Sequence, residues 1–196
     1  MLKSLKTKNK SNHKILHDFS VFNSNFKNNS IELSTNDIFI QTKNKLNKIC
    51  EIPNKNTQQR IVTKKAINTF DFVLAILANE NIINLTIAIY RIGKKTANEL
   101  KELQKSGKIK NITILLNDGF PKLIPDCWNL LKSFESEKFK LKLENNHTKI
   151  ILAETKENNY IIEGSGNLSI NARIEQYTFD NNKQIYDFHK NWIDKI

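Results

Sequence analysis

The hydrophobic and polar positions predict an alternation of helices and strands from about Thr57 to the last residues of the chain. Between residues 58 and 79, apolar side chains recur at steps of three and four, which predicts a helix. Runs that are rich in β-branched residues or alternate in polarity predict strands at residues 82–90, 109–116, 139–143, 148–153, 160–162 and 173–179. Helical spacing returns at residues 93–105, 125–134 and 181–193.

This order of elements predicts an α/β fold, an α/β sandwich with helices packed on a mixed central sheet. A first strand is predicted within residues 31–42, followed by a connection or short helix over residues 43–56, where Pro53 marks a break. We expect residues 31–196 to form one domain. Residues 1–30 are polar, and their first fourteen hold five lysines and no acid, which is typical of a flexible basic arm.

The composition of the 196-residue chain favours a globular protein without a membrane partner. The longest apolar run, residues 72–78, is far too short to cross a bilayer, and no apolar segment of a secretory signal follows the basic N-terminus. Two cysteines, Cys50 and Cys127, are not spaced as metal ligands. We therefore expect a cytoplasmic protein with free thiols.

A formal net charge of +11 points to a polyanionic partner, because phosphate neutralisation by basic side chains drives most non-specific binding to nucleic acid. Lysine greatly outnumbers arginine, the residue that reads base edges with two hydrogen bonds, so no sequence specificity is expected. Coding bias in an AT-rich genome would also produce a chain rich in Lys, Asn and Ile. The charge alone leaves both explanations open.

Two short segments carry the candidate chemistry. His147 and Lys149 are two residues apart on a predicted strand, so their side chains share a face, and an imidazole beside an ammonium group suits an anion better than a core. Glu154 has the opposite parity and is expected to face away. The next strand ends in Gly164-Ser165-Gly166-Asn167, where glycines permit close backbone approach and the polar side chains supply hydrogen bonds. If the two strands form a hairpin, these segments meet.

On these residues the chain resembles the phospholipase D superfamily, whose signature, the HKD motif, is His-x-Lys, four residues, Asp, and then Gly-Ser-x-Asn. His147, Lys149, Gly164, Ser165 and Asn167 match it. The chain departs from the pattern at the acidic position, where Glu154 replaces Asp, and in a slightly longer segment up to Gly164. The resemblance covers about the last two thirds of the chain and implies a phospholipase D-like fold carrying a single half-site.

The resemblance implies metal-free phosphoryl transfer without a cofactor. In that chemistry one histidine attacks phosphorus and a second protonates the leaving oxygen, while lysine and asparagine hold the phosphate oxygens. The chain has one complete motif, so a homodimer is expected to complete the site. By analogy with single-motif nucleases of the family, Glu175 is the candidate for orienting His147, and Glu163 is the alternative.

The function expected from these observations is a phosphodiesterase, a hydrolase of nuclease type, that acts on nucleic acid through a phosphohistidine at His147. A phosphate- or nucleic-acid-binding module without catalysis remains an alternative, because Glu154 departs from the motif. A lipid phosphodiesterase is a further alternative. Tyr90 and Arg91 are expected to line the cleft, because loops after strand ends often form the sites of α/β proteins.

Overall fold

The structure is a computed structural model that describes residues 52–64, 68–169 and 173–196, together with the backbone of residues 34–40. All of these residues belong to one compact unit, Leu33–Ile196. The predicted basic arm over residues 1–30 lies outside the described residues, and so do Cys50 and most of the predicted connection over residues 43–56.

The described elements comprise eight strands and five helices, and they form a mixed α/β fold. The strands are β1 (Ser34–Ile40), β2 (Thr57–Lys64), β3 (Ile82–Ile89), β4 (Ile109–Asn117), β5 (Phe139–Glu144), β6 (Lys149–Glu154), β7 (Asn159–Gly164) and β8 (Ile174–Asn181). The helices are α1 (Thr69–Leu77), α2 (Lys94–Lys105), α3 (Phe120–Leu123), α4 (Pro125–Lys132) and α5 (Lys183–Asp194). Every strand predicted after residue 80 is present within one or two residues of its expected ends.

One eight-stranded sheet contains all the strands, in the order β1-β2-β8-β7-β6-β3-β4-β5. Strands β3, β4 and β5 run parallel to one another, whereas β6 is antiparallel to both β3 and β7. The start of β6 therefore lies beside the end of β3 and the end of β7. This topology brings three chain segments together at one edge of the sheet.

The predicted helix over residues 58–79 is wrong in its first half, which forms strand β2. Side-chain burial there alternates with a period of two: Gln59, Ile61 and Thr63 are buried, while Arg60 and Val62 are exposed. The strand is hydrogen-bonded to β1 on one side and to β8 on the other. Pairing on both edges and a β-branched run at positions 61–63 outweigh the helical spacing, which joined the apolar residues of two separate elements.

Helix α1 begins at Thr69 because Asn68 and Asp71 form a capping box. The Asn68 Oδ1 accepts a hydrogen bond of 2.9 Å from the Phe70 amide, and the Asp71 carboxylate accepts one of 2.8 Å from the Asn68 amide. These bonds satisfy amides that have no partner in the first turn of a helix. The cap places the buried Thr69 at a fixed position beneath the candidate site.

Each face of the sheet carries an apolar cluster. The larger cluster packs helices α1, α2 and α4 on one face through side chains such as Phe72, Leu100 and Leu131, and we call this the three-helix face. The smaller cluster packs α5 on the other face through Tyr186 and Ile193, and we call this the α5 face. Across the described ranges, no helix combines the length and the apolar character that a bilayer crossing requires.

Candidate active site

The β6–β7 hairpin brings the two sequence motifs together. Its register pairs Ile150 with Glu163 and Glu154 with Asn159, so Lys149 at the start of β6 lies beside the end of β7, where Gly164 begins the polar turn. On the other side of β6, Lys149 pairs with Ile89 at the end of β3. The basic motif therefore lies between the end of β3 and the polar turn.

His147 belongs to the segment that leads into β6, and its side chain is exposed. The neighbouring Asn146 is buried and holds this segment in place. Its Oδ1 accepts hydrogen bonds from the Thr148 amide at 2.9 Å and the Thr148 hydroxyl at 2.6 Å, and its Nδ2 donates to the Leu115 carbonyl at 3.3 Å. An anchored backbone with an exposed imidazole leaves the ring accessible to a ligand.

Lys149 is half-buried beside this imidazole. Its Nζ donates a hydrogen bond of 3.0 Å to the backbone carbonyl of His147, which ties the ammonium group to the histidine segment. Burial lowers the pKa of Lys149, and the negative charge of Glu175 opposes that lowering. A phosphate group bound here would oppose it further.

Ser165 and Glu175 join the polar turn to β8. The Ser165 amide donates to the Gln176 carbonyl at 3.0 Å, and the Gln176 amide donates to Ser165 Oγ at 3.1 Å. The Ser165 hydroxyl in turn donates to the carboxylate of Glu175, which is only 7% exposed. Glu175 therefore lies on the three-helix face beneath the turn, where it acts electrostatically on Lys149.

The two glycines of the turn are required by close packing against Tyr177. A Cβ atom on Gly164 would lie 2.4 Å from Cδ1 of Tyr177, and one on Gly166 would lie 2.1 Å from its hydroxyl oxygen. Tyr177 is buried and packs against the ring of Phe72 at 5.0 Å between centroids. The backbone therefore approaches a buried, packed side chain at both positions, which explains why glycine is favoured there.

Asn167 follows in the turn, and the chain is then fixed to the end of β3. The Leu168 amide donates to the Arg91 carbonyl at 3.1 Å, and the Gly93 amide donates to the Leu168 carbonyl at 2.9 Å. The Oδ1 of Asn167 is buried, and no group in the described part of the chain donates a hydrogen bond to it. The other end of a carboxamide is a donor, Nδ2, which is the kind of group that holds a phosphate oxygen.

Glu154 and Glu163 lie on the other side of the sheet. Glu154 follows Leu152 on the α5 face and accepts a hydrogen bond of 2.5 Å from Asn84 Nδ2. The Glu163 carboxylate accepts a hydrogen bond from Nε2 of His189 on α5, at 3.0 Å. Neither carboxylate belongs to the group formed by His147, Lys149 and the polar turn.

The sequence interpretation missed a second polar group, which lies on the α5 face. His189 is 8% exposed and accepts a hydrogen bond of 3.2 Å from the Trp192 indole, while Asp180 is 1% exposed and accepts one of 2.7 Å from Gln58. Burial raises the pKa of Asp180 to about 6, and the hydrogen bond from Gln58 opposes this rise. In the sequence, the i, i+3 spacing of His189 and Trp192 on a predicted helix was the signal that could have indicated this polar group.

Tyr90 directly follows β3 and its ring lies beside the imidazole of His147, at 4.9 Å between centroids. The residues that face the candidate site are thus an imidazole, two cationic side chains, an aromatic ring and the hydrogen-bonding groups of the turn. Such a set suits a phosphate ester. Within residues 52–64, 68–169 and 173–196, no group of three or more His, Cys, Asp or Glu side chains is arranged to hold a metal ion.

Comparisons with known proteins find distant similarity to solved structures. No protein-family model matches the chain, and no curated protein matches its sequence. Among solved structures, phosphatidylserine synthase from Haemophilus influenzae Rd KW20 aligns over 70% of this chain with 10% sequence identity and a TM-score of 0.42. The aligned chain spans 37% of that protein's length.

Proposed function

We propose that this chain provides one half of a phospholipase D-type phosphodiesterase site that acts on nucleic acid, and that a second copy provides the other half. The observation that carries the proposal is the β6–β7 hairpin, which sets His147 and Lys149 beside the Gly164–Asn167 turn. An accessible imidazole next to an ammonium group and a carboxamide provides a nucleophile and hydrogen-bond donors of the kind that a phosphate requires.

The proposed reaction has two steps and needs no metal. A ring nitrogen of His147 attacks phosphorus, the bond from phosphorus to the leaving oxygen breaks, and that oxygen takes a proton from His147 of the second copy. The second imidazole then removes a proton from water, whose oxygen attacks phosphorus and breaks the phosphorus–nitrogen bond. Lys149 and Asn167 oppose the charge that grows on the non-bridging oxygens.

Nucleic acid is the proposed substrate because the chain carries a formal net charge of +11 and because cationic side chains border the site. Exposed Arg91 and half-buried Lys149 flank Tyr90 at the edge where His147 lies. A polyanionic strand would be attracted to this edge and would place one of its phosphates at the imidazole.

A second copy is proposed because the reaction uses two imidazoles and the sequence contains one complete motif. His189, the other histidine among the described residues, is buried on the α5 face against Glu163 and Trp192. It cannot share a ligand with His147 across the sheet. A two-fold arrangement of two chains would place one His147 from each copy at a common cleft.

The cleavage experiment uses the full chain with fluorescent DNA and RNA oligonucleotides in the presence of EDTA. We expect turnover that falls at least about a thousandfold in His147→Ala and about a hundredfold in Lys149→Ala. Lys108→Ala is the matched control, because it removes the same charge from an exposed residue. Lys108 immediately precedes β4, at the end of the sheet away from His147. A phosphorylated His147, trapped with a labelled substrate and located by mass spectrometry, would identify the nucleophile.

The same assay separates the alternatives. Salt-sensitive binding of oligonucleotides without turnover or phosphohistidine would leave a binding module and reject the catalytic proposal. If phosphatidyl lipids in vesicles are hydrolysed faster than oligonucleotides, the substrate is a lipid and the nucleic-acid proposal is rejected. Equal turnover by wild type and His147→Ala would remove His147 from the chemistry.

The dimer is tested by mixing wild type with His147→Ala under conditions in which subunits exchange. If one site needs His147 from both copies, an equal mixture retains about a quarter of the wild-type activity, because only that share of dimers is fully wild type. If each copy works alone, the mixture retains about half. Solution mass measured on the same samples shows whether a dimer is present.

A further inference from the structure

Tyr90 stands apart from both apolar clusters of the protein. It is half-buried at the end of β3, yet among the described residues it is not a member of the cluster on either face of the sheet. Its ring neighbours are instead site residues: the His147 imidazole at 4.9 Å between centroids with an interplanar angle of 52°, and the Lys149 ammonium at 5.9 Å from the ring centroid. Core packing therefore does not explain this ring.

Arg91 extends the same surface. Its guanidinium carbon lies 6.0 Å from the Tyr90 ring centroid, and its side chain is exposed. Both cations lie at the outer limit of a cation–π contact, about 6 Å, so each contact with the ring is weak. The backbone beneath is fixed, because the Arg91 carbonyl accepts the Leu168 amide at 3.1 Å. The ring thus has a rigid support and only weak contacts with the two cations.

We propose that Tyr90, flanked by Arg91, is a stacking site for an unpaired nucleobase and makes the site selective for single-stranded nucleic acid. This inference rests on the proposed function, because it takes the phosphate at His147 as given. An aromatic ring beside cations at a phosphate site is the arrangement that binds single strands, in which each base can leave its neighbours and stack on a side chain. Bases in a duplex remain stacked and paired, so they cannot reach the ring without distortion.

The chemistry that Tyr90 recognises is the flat face of a base next to the bound phosphate, which single-stranded DNA and RNA share. The centroid distance of 4.9 Å places the ring directly beside the reacting imidazole, so the recognised base belongs to a nucleotide that adjoins the scissile phosphate. No described residue forms a hydrogen bond with the Tyr90 hydroxyl, and stacking needs only the ring. Phenylalanine should therefore replace tyrosine at this position.

The test compares Tyr90→Phe, Tyr90→Leu and Tyr90→Ala in the full chain carrying His147→Ala, so that binding is measured without cleavage. Three fluorescent probes with equal numbers of phosphates are used: a single strand, a hairpin duplex, and a single strand whose bases are replaced by abasic sites. DNA and RNA versions are run in parallel. Phe188→Leu is the matched control, because Phe188 is a partly exposed ring at the same centroid distance of 4.9 Å from a histidine, on helix α5.

We expect Tyr90→Leu and Tyr90→Ala to weaken binding of the single strand about tenfold, with Tyr90→Phe close to the parent. Binding of the duplex and of the abasic strand should change by less than about twofold in every variant. Equal losses on all three probes would mean that Tyr90 only positions charged groups, and that result overturns the inference. Retention of single-strand binding by Tyr90→Leu also overturns it.

The inference and the proposed function fail differently. If the chain with His147 intact cleaves nucleic acid and Tyr90→Leu cleaves single strands as fast as wild type, the phosphodiesterase stands and the stacking site is rejected. If binding of the single-strand probe depends on Tyr90 but neither wild type nor any variant cleaves nucleic acid, the stacking site stands and catalysis is rejected.

Discussion

Thr69 and Gly166, separated by 97 positions in the sequence, are joined by a hydrogen bond of 3.0 Å from the threonine Oγ1 to the glycine carbonyl. Thr69 is the first residue of α1 and is buried, and Gly166 is the middle of the polar turn. The same hydroxyl lies 3.4 Å from the Asn167 carbonyl. The start of one helix therefore supports the turn that the candidate site depends on.

Thr69→Val should destabilise this turn, because valine keeps the shape of threonine but leaves a buried carbonyl without its donor. We expect a loss of about 1–2 kcal/mol in the free energy of unfolding, measured by urea denaturation, and a larger relative loss of the proposed phosphodiesterase activity. Thr69→Ser keeps the hydroxyl and serves as the control. An activity loss in Thr69→Ser as large as that in Thr69→Val would show that the hydrogen bond is not what matters.

Gly166→Ala should be among the most destabilising single-atom additions in the chain. The new Cβ would lie 2.1 Å from the Tyr177 hydroxyl oxygen and 2.9 Å from Thr69 Oγ1, and both of these side chains are buried. Overpacking of this kind costs about 1–3 kcal/mol. At Gly93, a Cβ would meet only the Leu168 carbonyl at 3.7 Å, so Gly93→Ala is the matched control. Its cost should be smaller and come only from a weaker N-cap of α2.

Glu175→Gln should shift the alkaline limit of substrate binding to lower pH. Burial already lowers the pKa of Lys149, and the carboxylate of Glu175 opposes that effect, so removing its charge lowers the pKa of Lys149 further. Lys149 then loses its proton, and its hold on phosphate, at a lower pH than in wild type. Oligonucleotide binding measured from neutral to alkaline pH tests this.

Glu154→Gln is the control for that experiment, because Glu154 carries the same charge on the α5 face and accepts its hydrogen bond from Asn84. The alkaline limit of oligonucleotide binding by Glu154→Gln should coincide with that of wild type. A shift of equal size in both variants would mean that the effect comes from net charge rather than from Glu175.

Asp180→Asn should stabilise the protein above neutral pH. Burial raises the pKa of Asp180 to about 6, so the folded protein holds this proton while the unfolded chain releases it near the ordinary aspartate value. The stability that depends on this proton is present below about pH 4 and is lost as the pH rises through about 6. The contribution is on the order of 3 kcal/mol, since each pKa unit corresponds to about 1.4 kcal/mol.

Unfolding of wild type and Asp180→Asn should therefore give similar free energies near about pH 4 and diverge toward about pH 8, with the variant more stable. Asparagine keeps an acceptor for the Gln58 amide, which donates to Asp180 at 2.7 Å. The difference between the two proteins isolates this group, because every other ionisable residue is the same in both. A constant difference at all pH values would contradict the assignment.

Much of the site's backbone could be predicted from sequence. Two apolar strands with a short connection predict a hairpin, and side-chain alternation on β6 places Lys149 on one face of the sheet and Glu154 on the other. The Gly-Ser-Gly-Asn segment indicates close backbone approach, and Tyr177 supplies the reason. These features are local, because the period of a strand and the conformational freedom of glycine depend on neighbouring residues only.

The helix predicted for residues 58–64 was wrong, because the apolar residues of a strand and of the following helix together had the spacing of a single helix. Whether such a segment becomes a strand depends on the neighbouring strands with which it can pair. Here β1 pairs with one edge of the segment and β8 with the other. The β-branched residues at positions 61–63 were the signal that favoured a strand. Sheet pairing outweighed a periodicity that was consistent with a helix.

The sequence by itself determined the order of most elements, the positive charge and the residue types that a phosphate site needs. Only the tertiary structure placed Tyr90 against His147, Thr69 under Gly166, and Asp180 in a buried polar group with Gln58. Each of these pairs is distant in sequence, so its formation depends on strand order, register and helix docking across the whole domain. The residue types of the candidate site occur in local motifs, but the contacts that position those residues arise from long-range packing.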